Sequence, residues 1–545
     1  MTLPDPPYAD ATAPLLFLLL AAFVLLRGRA LLLYFQQEEY DGRRFLRYLT
    51  TRGGRDRVAS LAAILAGLAG FAAAYGQGWG GYAAVLLLAG GLVDGARRSL
   101  PVVRDAKKPL VMTARATRIF QLYAGLMLGL AAALWWLAGW RTVTTPALVA
   151  LIAAQAAPYL LVAADRLLSP FERRVKGRYR QDAVDKLADL KPVVIGITGS
   201  FGKTSTKHLL AHVLSSAAPT LATPGSVNTE MGITRVIREK LTPRHRYFIV
   251  EMGAYGPGSI ARLCRLTPPD HAIITAVGDA HYERFKSIEA VFHTKFELAD
   301  AVRTRGGAAV AHRDGIPAEF LDPYLAEHDD IVLVGTGAES ALRLSDLRQT
   351  AEGLALDIVA EDGAATTLSA PVYGRHQAGN ILCVVALARR LGLPMDSIRA
   401  ALATAPQARH RLEVSRAGGI AVIDDAYNSN PAGFAAGLEL LDLLVRTGGR
   451  RIVITPGMVE LGARHDSEHA RLGALAARHA DILLAVTPDR IAAFTEAFRQ
   501  AGQGELMTFQ RQAEAEAWIA ANARPGDAVL YENNLPDLYE RPPRF

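Results

Sequence analysis

Apolar positions fall into two regimes along the 545 residues. In the first 165 they come in long runs, from ATAPLLFLLLAAFVLL at 11–26 through stretches at 58–75, 80–94, 119–139 and 145–163. Several approach the roughly 20 residues that cross a hydrocarbon core. Beyond 190 the runs shorten. VVIGI at 193–197 reads as a strand, and after 420 the segments GIAVIDD, RRIVITPG, ADILLAVTP, LMTFQ and DAVLYENN alternate with helix-compatible stretches. That alternation predicts a doubly wound α/β domain.

The polar positions between the long runs carry a second pattern. Residues 1–13 hold no Lys or Arg, whereas 27–57 hold Arg27, Arg29, Arg43, Arg44, Arg47, Arg52, Arg55 and Arg57. The turn at 76–81 holds none, and 96–118 holds Arg97, Arg98, Arg104, Lys107, Lys108, Arg115 and Arg118. The turn at 140–145 has only Arg141, and the basic run FERRVKGRYR follows 163. Alternation of this kind is the positive-inside pattern. It predicts an α-helical membrane domain over 1–165, with about five transmembrane helices, the N-terminus outside and everything after 165 cytoplasmic. The competing reading is a soluble domain of buried helices. A signal peptide fits poorly, since no basic segment precedes the first run and no clear cleavage site follows it. Residues 166–190 are a basic cytoplasmic linker, lying close to anionic headgroups or as a plain solvated helix.

Composition narrows the rest. The length predicts roughly three domains. Two cysteines, Cys264 and Cys383, exclude a disulfide framework and a multi-Cys zinc site and suit a reducing cytoplasm. The net charge of +7 sits largely in membrane-flanking loops, so it does not call for nucleic acid.

KPVVIGITGSFGKTSTKHLLAHVL reads as strand, glycine loop, helix. Gly199 and Gly202 let the backbone turn its N–H groups inward, and the helix starting near Lys203 offers its N-terminus to an anion. Lys203 can reach the β/γ-phosphates, the Thr204 hydroxyl can bind Mg²⁺, and Ser205 follows in the same turn. Counted from Gly199 the GxxGKT spacing is shorter than the usual GxxxxGK[ST]; Gly196 gives the wider frame.

Further stretches follow in order: SVNTEMGI (226–233), VEMGA (250–254), AVGDAHYERFKSIEAVFHTKFEL (276–298), GRHQAGN (374–380), RHRLEV (409–414), DDAYNSNP (424–431) and PGMVELG (456–462). With GSFGKTST this series resembles the Mur ligase family, the ATP-dependent amide ligases of peptidoglycan precursor synthesis, and most of all its D-alanyl-D-alanine-adding branch. The resemblance covers about 190–530. It implies a P-loop central ATPase domain (191–408) and a Rossmann-like C-terminal domain (409–545). The implied reaction uses ATP and Mg²⁺: a carboxylate becomes an acyl phosphate, and an amine then displaces phosphate.

The resemblance also assigns residues. Glu251, at a strand end, and His281, just past another, would join Thr204 as metal ligands. Lys295 matches a lysine that is carbamylated in most of the family; spacing alone reads it as a surface lysine. Asn228 would contact substrate or phosphate. His376 and Asn380, at i and i+4 on one helical face, would lie near the adenine. Arg411 would clamp the γ-phosphate and Asp425 contact the ribose or a metal-bound water, with Tyr427, Asn428 and Asn430 shaping the nucleotide and acceptor sites.

Three departures stand out. The membrane domain occupies the place of the family's UDP-binding domain. PGMVELG has Gly457 where the more familiar GDMxELG carries an acid, and the tail YENNLPDLYERP also differs. The leading expectation is an ATP-dependent, ADP-forming cell-wall peptide ligase at the inner membrane. It would add D-Ala-D-Ala, or another amino acid or dipeptide amine, to a peptide, sugar-nucleotide or lipid-linked wall precursor. Alternatives are a membrane-bound ligase for a lipid-linked precursor or a poly-γ-glutamate-like polymer, and a transporter or sensor with a regulatory nucleotide domain. Few charges lie within the apolar runs, Asp94 near one end excepted, which disfavours transport.

Overall fold

The computed structural model describes residues 9–51, 56–75, 79–104, 109–138, 143–278, 285, 287–427, 429–459 and 461–534. The described chain forms two compact units that divide after Val175.

The first unit is helical. Each apolar run lies in a helix: Ala9–Gln37, Arg57–Tyr75, Trp79–Arg104, Ala114–Ala138 and Thr144–Leu190. Among the described residues, three helical stretches are long and apolar enough to cross a membrane by length and composition: Pro14–Gln37, Ala114–Leu134 and Thr144–Leu190. The apolar part of another, Arg57–Ala72, is shorter. Leu61, Leu68, Phe71 and Leu86 point outward from this unit. Of the exposed large apolar side chains among the described residues, only Phe201, Tyr427 and Leu443 lie beyond residue 179.

The basic connection at 27–57 is not a plain loop. The first helix continues through Arg27 and Arg29 to Gln37, because LLLYF extends its apolar run, and Gly42–Thr51 is a short helix burying Phe45 and Leu49. Arg27 is wholly buried, 3.8 Å from the buried carboxylate of Asp56, which also takes Arg98 at 3.2 Å. A buried cation of this kind is tolerated because a carboxylate faces it.

The second unit begins with the end of the helix Thr144–Leu190, whose Ala183 and Leu187 sit in a core with Val194, Ile233 and Ile237. Its first sheet contains β1 (Val193–Thr198), β2 (Thr220–Ala222), β3 (Tyr247–Glu251), β4 (His271–Ile274), β5 (Ala308–His312), β6 (Ile331–Gly335), β7 (Leu342–Thr350), β8 (Gly353–Ala360) and β9 (Ala365–Ala370), in the order 2-3-1-4-5-6-7-8-9. Neighbours from β2 to β7 run parallel, and β7–β9 are antiparallel. Helices Lys203–Ser215 and Gln377–Arg390 cover one face, and Glu230–Lys240, Ser259–Leu266 and Ile288–Arg303 the other. Coverage on both faces explains why VVIGI and YFIV are almost uninterrupted apolar runs.

The second sheet contains β10 (Glu413–Ala417), β11 (Ile420–Asp425), β12 (Arg451–Thr455), β13 (Ile482–Val486), β14 (Glu505–Phe509) and β15 (Ala528–Glu532), in the order 10-11-15-12-13-14. Only β10 pairs antiparallel. The five segments expected after 420 are strands here, and the last, β15, lies between β11 and β12. Between the sheets, His410 and Leu412 adopt left-handed backbone conformations at φ 58° and 50°.

Candidate active site

Parallel strands place their carboxyl ends on one edge of the first sheet, and the phosphate loop leaves the edge at central β1. Gly202 precedes the helix Lys203–Ser215 at φ 80°. A Cβ there would lie 2.4 Å from Asn380 Oδ1, and one on Gly199 would lie 1.9 Å from Thr275 Oγ1. Both glycines are therefore required by close approach, and Gly202 also by its backbone. Lys203 folds onto its own loop, donating to the carbonyls of Gly199 at 2.6 Å and Ser200 at 3.4 Å. Burial lowers its pKa to about 8, against the opposing pull of Glu251.

Glu251, at the end of β3, is the centre of the site and is buried. Its Oε2 accepts from the Thr204 hydroxyl and from Lys207 Nζ, each at 2.9 Å, and its Oε1 accepts from Asn228 Nδ2 at 3.2 Å. Asn228 Oδ1 accepts in turn from the Tyr255 hydroxyl at 2.8 Å. Lys207 also donates to the Gly225 carbonyl, and burial lowers its pKa. The Glu251 carboxylate and the Thr204 hydroxyl are hard oxygen donors beside a loop of inward N–H groups. That set suits Mg²⁺ with a phosphate ligand.

Lys295 projects from the helix Ile288–Arg303 and is buried, not a surface lysine. Among the described residues no hydrogen bond or ion pair reaches its Nζ. Burial, reinforced by Lys203, pushes its pKa well below the ordinary lysine value. His281 and Asn428 lie outside the described residues.

His376 and Asn380 flank the start of one helix and differ in burial. His376 precedes the helix Gln377–Arg390 as its cap residue and is exposed, whereas Asn380 is buried against Gly202 and donates to Gln377 Oε1 at 2.6 Å. The His376 backbone is already helical at φ −63° and ψ −15°, so the i, i+4 spacing holds, and the two side chains differ in exposure. Gln377 Nε2 reaches Ser205 Oγ at 3.4 Å.

From the second sheet, Arg411 Nη2 reaches the Thr204 hydroxyl at 3.5 Å, and its guanidinium lies 4.6 Å from the centre of the exposed Tyr427 ring. Asp425, at the end of β11, accepts from Leu412 N at 3.2 Å; burial raises its pKa to about 6. Asn430 caps the helix Pro431–Leu444, its side chain accepting from Gly433 N at 3.0 Å. A shallow cleft runs along Ser205, His208, Tyr373, Gln377 and Arg411.

At Gly457 the backbone has φ 73°, and a Cβ would meet Ile491 Cγ2 at 2.4 Å and His469 Nε2 at 2.5 Å. No acidic side chain fits there. Sequence reasoning missed Lys207, Gln377, Tyr255 and Glu532. Lys207 carried a signal, since it lies three residues after Thr204 on the same helical face.

Residues 197–388 match the Mur ligase middle domain, and residues 410–532 match the Mur ligase glutamate ligase domain. The chain is 35% identical over 366 residues to a UDP-N-acetylmuramoyl-tripeptide–D-alanyl-D-alanine ligase of Mycobacterium leprae, covering 62% of this chain and 70% of that one. Among solved structures it is similar to MurF from Acinetobacter baumannii, with a TM-score of 0.59, 25% identity, and coverage of 67% of this chain and 78% of that one. It is also similar to the MurF ligase from Thermotoga maritima in complex with ADP, with a TM-score of 0.56, 25% identity, and coverage of 67% and 81%. The ordered motifs, the two sheets and these matches agree: the chain belongs to the Mur ligase family.

Proposed function

We propose that the chain is an ATP-dependent, ADP-forming ligase of cell-wall precursor synthesis. It joins D-alanyl-D-alanine, or a similar amine, to the peptide carboxylate of a UDP-N-acetylmuramoyl-tripeptide. The observation that carries this reading is the buried Glu251 carboxylate gathering Thr204, Lys207 and Asn228 beside the glycine loop. The relatives' names supply the substrates.

The residues divide the work. The backbone N–H groups around Gly199–Gly202 and the nearby helix N-terminus hold the ATP phosphates. Lys203 swings from the loop carbonyls to the β/γ-phosphates. Mg²⁺, held by Thr204 and Glu251 with His281 as the expected third ligand, would neutralise phosphate charge during transfer. Arg411, close to Thr204, clamps the γ-phosphate from the second sheet. The donor carboxylate then takes the phosphoryl group, and the amine attacks the resulting acyl phosphate and expels phosphate. Lys295 is buried, and among the described residues no hydrogen bond or ion pair reaches its Nζ; burial favours the neutral amine that carbamylation by CO₂ requires, and its carbamate would supply an anion beside Lys203. Asn380 and Gln377 shape the wall next to Ser205, and Asp425, Tyr427, Asn428 and Asn430 line the nucleotide and acceptor side.

In this reading the ligase works at the inner membrane, with its catalytic domains in the cytoplasm. Three apolar helices and the outward leucines support that. They also favour a second reading, in which the donor is lipid-linked. Retention in the membrane fraction after alkaline carbonate washing tests the location. ADP release that requires both a carboxylate donor and an amine, and that vanishes in Glu251→Gln, tests the chemistry. ATP hydrolysis indifferent to any amine would favour a regulatory nucleotide domain instead.

A further inference from the structure

The carboxyl edge of the second sheet holds a buried acid that the nucleotide chemistry does not use. Glu532 ends β15, the strand inserted between β11 and β12, and pairs in register with Asp425. The chain passes from β11 to β12 across β15, so the carboxyl ends of the three strands meet on one edge of the sheet, the edge where open α/β sheets bind ligands. Glu532 is fully buried. Its Oε1 accepts from the Ser429 hydroxyl, on the loop that follows Asp425, which turns the carboxyl group toward that loop. Its Oε2 is buried and has no hydrogen-bond partner among the described residues. A buried, unsatisfied carboxylate oxygen is costly and calls for a ligand.

The surroundings define the charge of that ligand. Two carboxyl groups lie side by side at this edge, and a Cβ on Gly457 of the adjoining loop would clash with Ile491 and His469. Asn533 turns away and donates to the Gly457 carbonyl at 2.6 Å. Arg411, the nearest cation to Asp425, is engaged with Thr204 and Tyr427.

We propose that Glu532, oriented by Ser429 and backed by Asp425, is the seat for the cationic primary ammonium group of the acceptor. This rests on the ligase reading above and extends it to the residue that selects the amine. The acid that cannot be accommodated at Gly457 is replaced by one on the neighbouring strand. Burial, and then Asp425, raise the Glu532 pKa well above the ordinary range, and an arriving cation relieves both effects.

The test uses the full-length protein in detergent with ATP, Mg²⁺ and UDP-N-acetylmuramoyl-tripeptide, comparing wild type with Glu532→Gln. Gln keeps the shape and the Ser429 contact but removes the negative charge. Hydroxylamine traps the acyl phosphate as a hydroxamate without the acceptor, and amide formation is titrated separately with D-alanyl-D-alanine. Equal hydroxamate formation with an acceptor KM raised about 10- to 100-fold, the worth of a charged hydrogen bond, supports the assignment. An unchanged acceptor KM overturns it and leaves the ligase reading intact. Loss of hydroxamate in the variant also overturns it, because Glu532 would then hold the fold or the nucleotide. Failure of the wild type to give hydroxamate or amide overturns the ligase reading and this assignment together.

Discussion

Lys207 is the cation that sets Glu251, and replacing it with Met tests that directly. Met keeps most of the volume and removes the charge. The side chains of the pair are 0% and 1% exposed and 2.9 Å apart. Removing one partner of a buried pair costs about 3–5 kcal/mol. Glu251 keeps Thr204 and Asn228, so the lower end applies, about 3 kcal/mol. Against a total stability of about 5–15 kcal/mol the protein stays folded. For an α/β unit spanning 176–534 the loss lowers the unfolding midpoint by roughly 4 °C. Calorimetry of the full-length protein in detergent measures it. The sharper readout is a cycle with Glu251→Gln: the double variant should be more stable than the sum of the single losses predicts, by about 2–3 kcal/mol. Additivity within about 0.5 kcal/mol would show that the two groups are not coupled, and Lys207 would have no claim on the Glu251 carboxylate.

Three further outcomes follow from the geometry. Gly199→Ala drives a Cβ to 1.9 Å from Thr275 Oγ1, and the displaced loop should cut ATP turnover about 100-fold with the fold retained by circular dichroism. Lys295→Met should abolish ligation, and wild-type activity should fall in CO₂-depleted buffer and return with bicarbonate, a carbamate ¹³C resonance appearing in parallel. His469 is buried, accepts from Met458 N at 3.0 Å and bonds the His465 carbonyl at 2.7 Å; burial lowers its pKa to about 4. Its folded pKa lies below the unfolded value near 6.5, so its contribution of about 3 kcal/mol is complete above pH 6.5 and is lost as pH falls toward 4. Unfolding midpoints measured across that range should drop in wild type and flatten in His469→Gln.

The sequence carried most of the second unit because its signals are local. VVIGI before a glycine loop, and five apolar segments spaced by helices, map directly onto β1 and the second sheet. Glu251 was legible for the same reason, as an acid ending an apolar strand. What escaped depends on neighbours distant in the chain. Burial of Lys295 is set by packing around its helix, and spacing alone pointed to the surface. Asn380 meets Gly202 across 178 residues of sequence. Glu532 gains its meaning only when β15 inserts beside β11. In the first unit, hydropathy gave the helices, but the loop charges misplaced Arg27, because its partner Asp56 is 29 residues away.

The central claim is amide formation driven by ATP. The measurement that tests it incubates the full-length protein in detergent with ATP, Mg²⁺, D-alanyl-D-alanine and either UDP-N-acetylmuramoyl-tripeptide or its lipid-linked counterpart, and reads product mass and ADP together. The account predicts one amide product, with one ADP released for each bond formed, and none with Glu251→Gln. ADP release with neither donor converted, or at a rate independent of the amine, would contradict it.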